Sequence, residues 1–308
     1  MTHGYVRPAS LAEALSAVAE GVREGLKVTP LCGGTDWMVE RHLAPNPYKS
    51  PEGAVDALPP PPLPPPDVVV DLSAVDELRK VELEVGEGGR TWVRLGAGVT
   101  YRTLREHPYL VEKFPILAAM ASEVGAVQIQ ALGTLGGNIA TGSPAADGVP
   151  VLVALGARVR LQSLEGAREM PLEDYYTGYR RSVRHDDELL ESVVFPELEA
   201  GSRWFWRKVG TRRAQSISKV ALASVVTLDG GVVTAARLAM ASVAPTVACL
   251  RGVRAALLGQ RPEAVPEGAL LTALRGDIAP IGDVRSTREY RLHVAERVLL
   301  RMREALGD

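Results

Sequence analysis

The run Thr134-Leu135-Gly136-Gly137-Asn138-Ile139-Ala140, continuing through Ser143-Pro144-Ala145-Ala146-Asp147, sets paired glycines among hydroxyl, amide and carboxylate side chains. Paired glycines allow positive φ and close backbone approach, and consecutive N–H groups in such turns form an anion-binding concavity. Thr134, Asn138, Ser143 and Asp147 add fixed hydrogen-bonding groups. The run Leu31-Cys32-Gly33-Gly34-Thr35-Asp36 repeats the pattern directly after a short apolar strand at 27–30. Each alone reads as a tight turn. Together they suit a ligand with two phosphates.

Other chemistries find less support. There is no GxxxxGK[ST], and Gly96-Ala97-Gly98-Val99-Thr100-Tyr101 lacks the third small residue of a dinucleotide fingerprint, so it reads as a hairpin end. His3, His42, His107, His185 and His293 show neither metal spacing nor a Ser/His/Asp arrangement. Cys32 and Cys249 fall in unrelated segments, so the chain has no disulfide framework or CxxC iron–sulfur site of its own.

At 308 residues, 46% apolar and 23% charged, the chain has room for two or three domains with well-buried cores. Its 35 basic and 37 acidic residues give a net charge of −2 without a basic block, which argues against nucleic-acid or anionic-membrane partners. With no apolar leader and no run of transmembrane length, the expected location is the cytoplasm.

The elements around the loops read as follows. A capping box, Ser10-Leu11-Ala12-Glu13, opens a helix stopped by Gly21, and a strand at 27–31 leads into the first loop. Residues 45–66 form a proline-rich, extended excursion. A strand at 68–72 opens a second, more antiparallel subdomain. It continues with a hairpin from 79 to 97, short helices at 100–106 and 115–122, a hairpin over 157–171 and a closing strand at 189–195. Beyond a boundary at 196–202 come strands at 204–209, 218–228 and 232–242, the last two joined by Asp229-Gly230-Gly231. Helices at 246–258, 267–275 and from Ser286 onward, with Tyr290, Val294, Val298, Met302 and Leu306 on one stripe, complete a self-contained α+β domain.

Six ordered motifs together resemble the FAD-binding medium subunit of the molybdenum hydroxylases, the family of xanthine dehydrogenase and carbon monoxide dehydrogenase flavoproteins. They are Gly33-Gly34-Thr35-Asp36, Thr134 to Ile139, Ser143 to Asp147, Gly178-Tyr179-Arg180-Arg181, Lys208 to Ile217 and Asp283-Val284-Arg285-Ser286-Thr287. The resemblance implies an α+β fold. A FAD-binding domain would occupy residues 1–197, with a small α/β subdomain at about 1–58 and a mainly antiparallel one at 67–197. A C-terminal domain at 203–308 would carry a three-stranded antiparallel sheet and three helices.

It also implies FAD bound without a covalent link, since covalent oxidases of the broader group place histidine where Thr35 stands. Leu31 to Asp36, Thr134, Leu135, Gly136, Gly137, Asn138 and Ser143 would line the cofactor, with Thr134 and Asn138 at the pyrophosphate. Asp147 would reach the ribityl or phosphate end, or simply cap the helix that follows. Lys208 would tune the flavin from near N1 and the C2 carbonyl, or be a solvated lysine beside a strand. Arg212 and Arg213 would support that region or pair with carboxylates. Tyr176, Tyr179 and Trp206 are unassigned aromatic candidates. Val124 stands where some members place an aromatic ring, and Gly282 where an acidic residue is common. The implied role is electron transfer from a partner's iron–sulfur clusters, in a complex with a molybdenum-cofactor subunit, to an acceptor such as NAD or a quinone. The rivals are a free-standing flavin oxidoreductase of the same fold and a non-catalytic binding protein.

Overall fold

The protein, seen in a computed structural model, is described over residues 4–42, 66–86, 89–213 and 215–307. The proline-rich excursion, apart from Pro66, lies outside the described residues. The chain opens with β1 (Gly4–Val6), α1 (Leu11–Arg23), β2 (Val28–Leu31), α2 (Thr35–His42) and β3 (Val68–Asp71). Ser10 caps α1 by accepting from the Glu13 N–H at 3.2 Å, and the Glu13 carboxylate accepts from the Ala9 N–H at 2.8 Å. The helix does not stop at Gly21. That residue is buried inside it, because an added Cβ would stand 2.5 Å from Val28 Cγ2, and Gly25 with φ +74 follows the end.

The strands form a three-stranded parallel sheet in the order β1-β3-β2. The strand at 68 is therefore the middle of the first sheet and not the start of the second subdomain. Of its unbroken Val68-Val69-Val70 run, Val70 is fully buried and Val68 packs against the same core. Ala14, Leu15 and Val18 of α1 pack with Val70, Leu72, Val75 and Leu78 beneath it.

The second unit contains β4 (Val81–Val85), β5 (Thr91–Gly96), α3 (Tyr101–Glu106), α4 (Pro108–Lys113), α5 (Pro115–Ala121), α6 (Val127–Leu132), α7 (Leu135–Ala140) and α8 (Gly148–Ala154). It continues through β6 (Arg158–Gln162), β7 (Ala167–Pro171), β8 (Tyr176–Gly178), β9 (Arg181–Ser182) and β10 (Leu189–Pro196). Its main sheet runs β4-β5-β10-β6-β7, all antiparallel. The strand expected to close the unit is thus its centre. Inward residues such as Val93, Leu95, Val159, Leu161, Val193 and Phe195 pack against the helices, with Phe114 meeting Phe195 edge-on at 5.0 Å.

The C-terminal domain comprises β11 (Ser202–Val209), β12 (Val220–Asp229), β13 (Val232–Ala241), β14 (Ala248–Cys249), α9 (Arg251–Leu257), α10 (Glu267–Asp277) and α11 (Arg288–Gly307). Gly230 and Gly231, with φ +56 and +83, make the tight turn between β12 and β13. The helix expected from 246 starts later because Ala248 and Cys249 add a fourth strand to the expected three. Alternation along β12 and β13 serves two cores. Leu222, Val226 and Met240 face the helices of the C-terminal domain, whereas Ala221, Ala223, Ala239 and Ala241 join the core of the second unit.

Candidate functional site

The two glycine loops, about a hundred residues apart in sequence, touch. Gly33 lies over the end of α6, where an added Cβ would stand 2.1 Å from the Leu132 carbonyl oxygen and 3.1 Å from Gly133 Cα. Gly34 turns the chain from β2 into α2 with φ +64. Burial pushes the Cys32 thiol above its ordinary range, while a hydrogen bond with Thr134 acts the other way. A cleft of about 350 Å³ opens at this junction, walled by both loops, Tyr101, Val124, Ile129 and Arg180. A second hollow of about 280 Å³ lies behind them, bounded by Val28, Leu72, Gly98, Gly136 and Arg184.

The loops contribute differently. Among the described residues the N–H groups of Gly33, Gly34 and Thr35 meet no acceptor, as expected where a helix begins, so they are available to an anion. The concavity expected at the second loop is not there. Its glycines lie inside α7, where Leu135 donates to Val99 O at 2.9 Å and Gly136 to Ala97 O at 2.9 Å. Gly137 donates to Thr134 Oγ at 3.1 Å, and Asn138 to Thr134 O at 3.0 Å. Gly136 is required by proximity rather than by φ: a Cβ there would stand 2.5 Å from Ala97 Cβ.

Leu31, Cys32, Gly33, Gly34, Thr35, Asp36, Thr134, Gly137 and Asn138 line the cleft. Asn138 also caps α8, its Oδ1 accepting from the Gly148 N–H at 3.1 Å. Gly136 faces the second hollow, and Leu135 is fully buried. Ser143 accepts from the Ala145 N–H at 3.2 Å within its own turn.

Asp147 and Lys208 form a buried pair away from the cleft lining. Lys208 Nζ lies 2.6 Å from Asp147 Oδ2 and donates to Glu123 O at 2.9 Å, with only 3% of its side chain exposed. Ser218 donates to the other Asp147 oxygen, and Trp206 Nε1 donates to the Glu123 carboxylate at 3.0 Å. Burial pushes the Asp147 carboxyl above its ordinary value, while Lys208 and Ser218 favour its ionised form. Lys208 is therefore not a solvated strand lysine, and Asp147 makes no capping bond to α8. The network instead ties residues 123–126, with Gln215 N donating to Gly125 O at 3.2 Å, to the C-terminal sheet. Of the aromatic candidates, Tyr176 donates to Ile139 O at 2.9 Å and Tyr179 is exposed.

Tyr101 is a site residue that no sequence motif marks. Its ring is buried, its hydroxyl has no partner among the described residues, and it borders the cleft. Burial raises the phenol well above its usual range, so it stays protonated, a donor without an acceptor. Arg180, held at φ +53, also faces the cleft. Tyr101 closes a glycine-containing segment that reads as a hairpin end, whereas Arg180 belongs to the Gly178-Tyr179-Arg180-Arg181 motif, to which the sequence alone assigns no contact with the cleft.

Residues 62–198 match the model of the FAD binding domain in molybdopterin dehydrogenase, and residues 206–306 match the CO dehydrogenase flavoprotein C-terminal domain. The xanthine dehydrogenase FAD-binding subunit of Escherichia coli is 30% identical over 300 residues, covering 95% of this chain and 91% of that one. The chain belongs to the family of FAD-binding subunits of molybdenum-containing dehydrogenases. The carbon monoxide dehydrogenase medium chain of Hydrogenophaga pseudoflava is 28% identical over 239 residues, spanning 77% of this chain and 80% of its own length. The reconstituted CO dehydrogenase of Oligotropha carboxidovorans superposes with a TM-score of 0.82 at 26% identity, over 98% of this chain and 96% of that one.

The cofactor of this FAD-binding subunit is FAD, and two features of the cleft fit it. The bare N–H groups of residues 33–35 suit a diphosphate, and the unpartnered Tyr101 hydroxyl suits an acceptor on the ligand. Among the described residues no cluster of His, Cys, Asp or Glu is arranged to hold a metal ion, and no helix is long and apolar enough to cross a membrane.

Proposed function

We propose that this subunit passes electrons from a partner's iron–sulfur clusters through FAD to a soluble or membrane-borne acceptor such as NAD or a quinone. Substrate would be oxidised on a separate molybdenum-cofactor subunit, and the assembled complex would work in the cytoplasm. FAD suits the task because it exchanges electrons singly or in pairs. The observation that carries the reading is the junction of the two loops, where free backbone donors and a buried phenol face one cleft. The names of the relatives, FAD-binding subunit and medium chain, support a role inside a larger complex.

In this reading Gly33, Gly34 and Thr35 hold the diphosphate with their N–H groups, and Thr134 and Asn138 shape the opposite wall. Tyr101 donates to the cofactor from a site closed to water. Lys208 and Asp147 hold residues 123–126, and with them Val124, at the cleft edge. The charge of Lys208 acts from behind that edge, already balanced by Asp147. Thr35 stands where covalent oxidases of the broader group place a histidine, which supports FAD bound without a covalent link.

The test is anaerobic. A complex co-expressed with its iron–sulfur and molybdenum partners should bleach its flavin when given the complex's substrate. The isolated chain should hold about one FAD, released entirely by acid precipitation, and bleach only with a chemical reductant. Turnover of a small substrate by the isolated chain with oxygen or NAD(P)H would favour the free-standing oxidoreductase.

A further inference from the structure

A hollow of about 290 Å³ lies at the seam between the main sheet and the C-terminal domain and shares no lining residue with the cleft between the glycine loops. Five arginines line it, Arg90, Arg158, Arg237, Arg251 and Arg254, against a single carboxylate, Glu173. In a chain with a net charge of −2 this is a local concentration of positive charge.

The arginines are unequally satisfied. Arg90 is committed, with Glu197 O at 2.9 Å and Glu199 at 3.2 Å. Arg158 and Arg251 are loosely paired, each 3.7 Å from a carboxylate, those of Glu169 and Glu173. Among the described residues the side chains of Arg237 and Arg254 have neither an ion pair nor a hydrogen bond, and both are exposed. Arg237 is nevertheless laid into the hollow: an added Cβ on Gly156, which has φ +72, would stand 2.9 Å from its Nε. Guanidinium groups that line one hollow concentrate positive charge there, and their planar forks match phosphate oxygens bidentately. Trp92 supplies an aromatic wall, its ring fixed over Gly86, where a Cβ would meet the indole at 2.7 Å.

We propose that this hollow is a second anion site, taking a small phosphate-bearing molecule whose phosphates lie between Arg237, Arg254 and Arg251. Its residues come from β5, β6, β13, β14 and α9, so the occupant would bridge the two domains. A concave seam of this size suits a small molecule better than the flat face of a protein partner.

The test uses the full chain saturated with FAD, so that the cofactor cleft is closed to other phosphates. Inorganic pyrophosphate and ADP are titrated calorimetrically at low and raised salt. Saturable binding that weakens with salt is expected, with the paired change Arg237→Gln, Arg254→Gln weakening it by about tenfold or more while FAD content is unchanged. ADP binding tighter than pyrophosphate, with the difference removed by Trp92→Leu, would identify a nucleotide; equal binding would identify the phosphates alone. Absence of saturable binding, or equal affinity in the paired variant, would overturn the proposal. So would a wild-type chain that binds neither probe while the paired variant loses its iron–sulfur subunit on co-purification, which would assign the arginines to a partner's acidic face.

Discussion

Gly33 approaches Leu132 so closely that one added carbon would stand 2.1 Å from the Leu132 carbonyl oxygen. This contact joins the small parallel-sheet unit to the helical segment carrying the second loop, and it sets the width of the cleft in which FAD is proposed to bind. Gly33→Ala must therefore push the loops apart. FAD affinity should fall on the order of tenfold or more, the scale of an overpacked contact, as read by fluorescence titration of the apoprotein. Wild-type affinity would mean that the loops are not opposed in this way.

Tyr101→Phe removes a hydroxyl that has no partner within the described chain. The apoprotein should keep or slightly raise its melting temperature, because a buried unsatisfied group is lost. FAD should dissociate several-fold faster than from the wild type. A fall in apoprotein stability with unchanged FAD release would show that the hydroxyl serves the fold instead.

Lys208→Met leaves Asp147 buried without its cation. Chemical denaturation should show a loss of about 3–5 kcal/mol, the range for breaking one partner of a buried pair. Adding Asp147→Asn should recover much of it. Were the single change neutral, the pair would be far better hydrated than its burial indicates.

The Arg168 guanidinium beside Glu188 holds that carboxyl below its ordinary value of 4.5, with help from the His185 N–H. A depressed folded value contributes stability above the unfolded value, and that stability is lost as pH falls through the folded one. Thermal midpoints measured downward from about pH 5 should therefore drop less steeply in Glu188→Gln than in the wild type. Parallel curves would remove Glu188 from the acid transition.

Both glycine runs stand out in the sequence because each sets a glycine pair beside threonine and a second polar group, although the second pair lies inside α7. Their division of labour does not. Whether Gly136 frees a backbone or admits a neighbour depends on Ala97, some forty residues earlier and brought near only by the fold. The sequence reads strand β3 into the wrong sheet because its partners, β1 and β2, lie across the proline-rich segment, and parallel pairing leaves no turn to mark it. The burial of Lys208 was hidden for a similar reason. A lysine on a strand reads as exposed until Asp147 and the Glu123 carbonyl are known to wait for it.

The central position of β10 has a consequence for biosynthesis. Its residues pair with 92–96 on one side and 158–162 on the other, and its Glu191 carbonyl accepts the Ala97 N–H at 2.8 Å. Ala97 in turn holds Gly136. While the ribosome is still making residues before 189, β5 and β6 each present an open edge, and the loop carrying Gly136 has an unanchored support. With FAD in the proposed cleft, its capture would wait until the last strand of the domain emerges, leaving a nascent chain that a chaperone would need to shield from pairing with its neighbours.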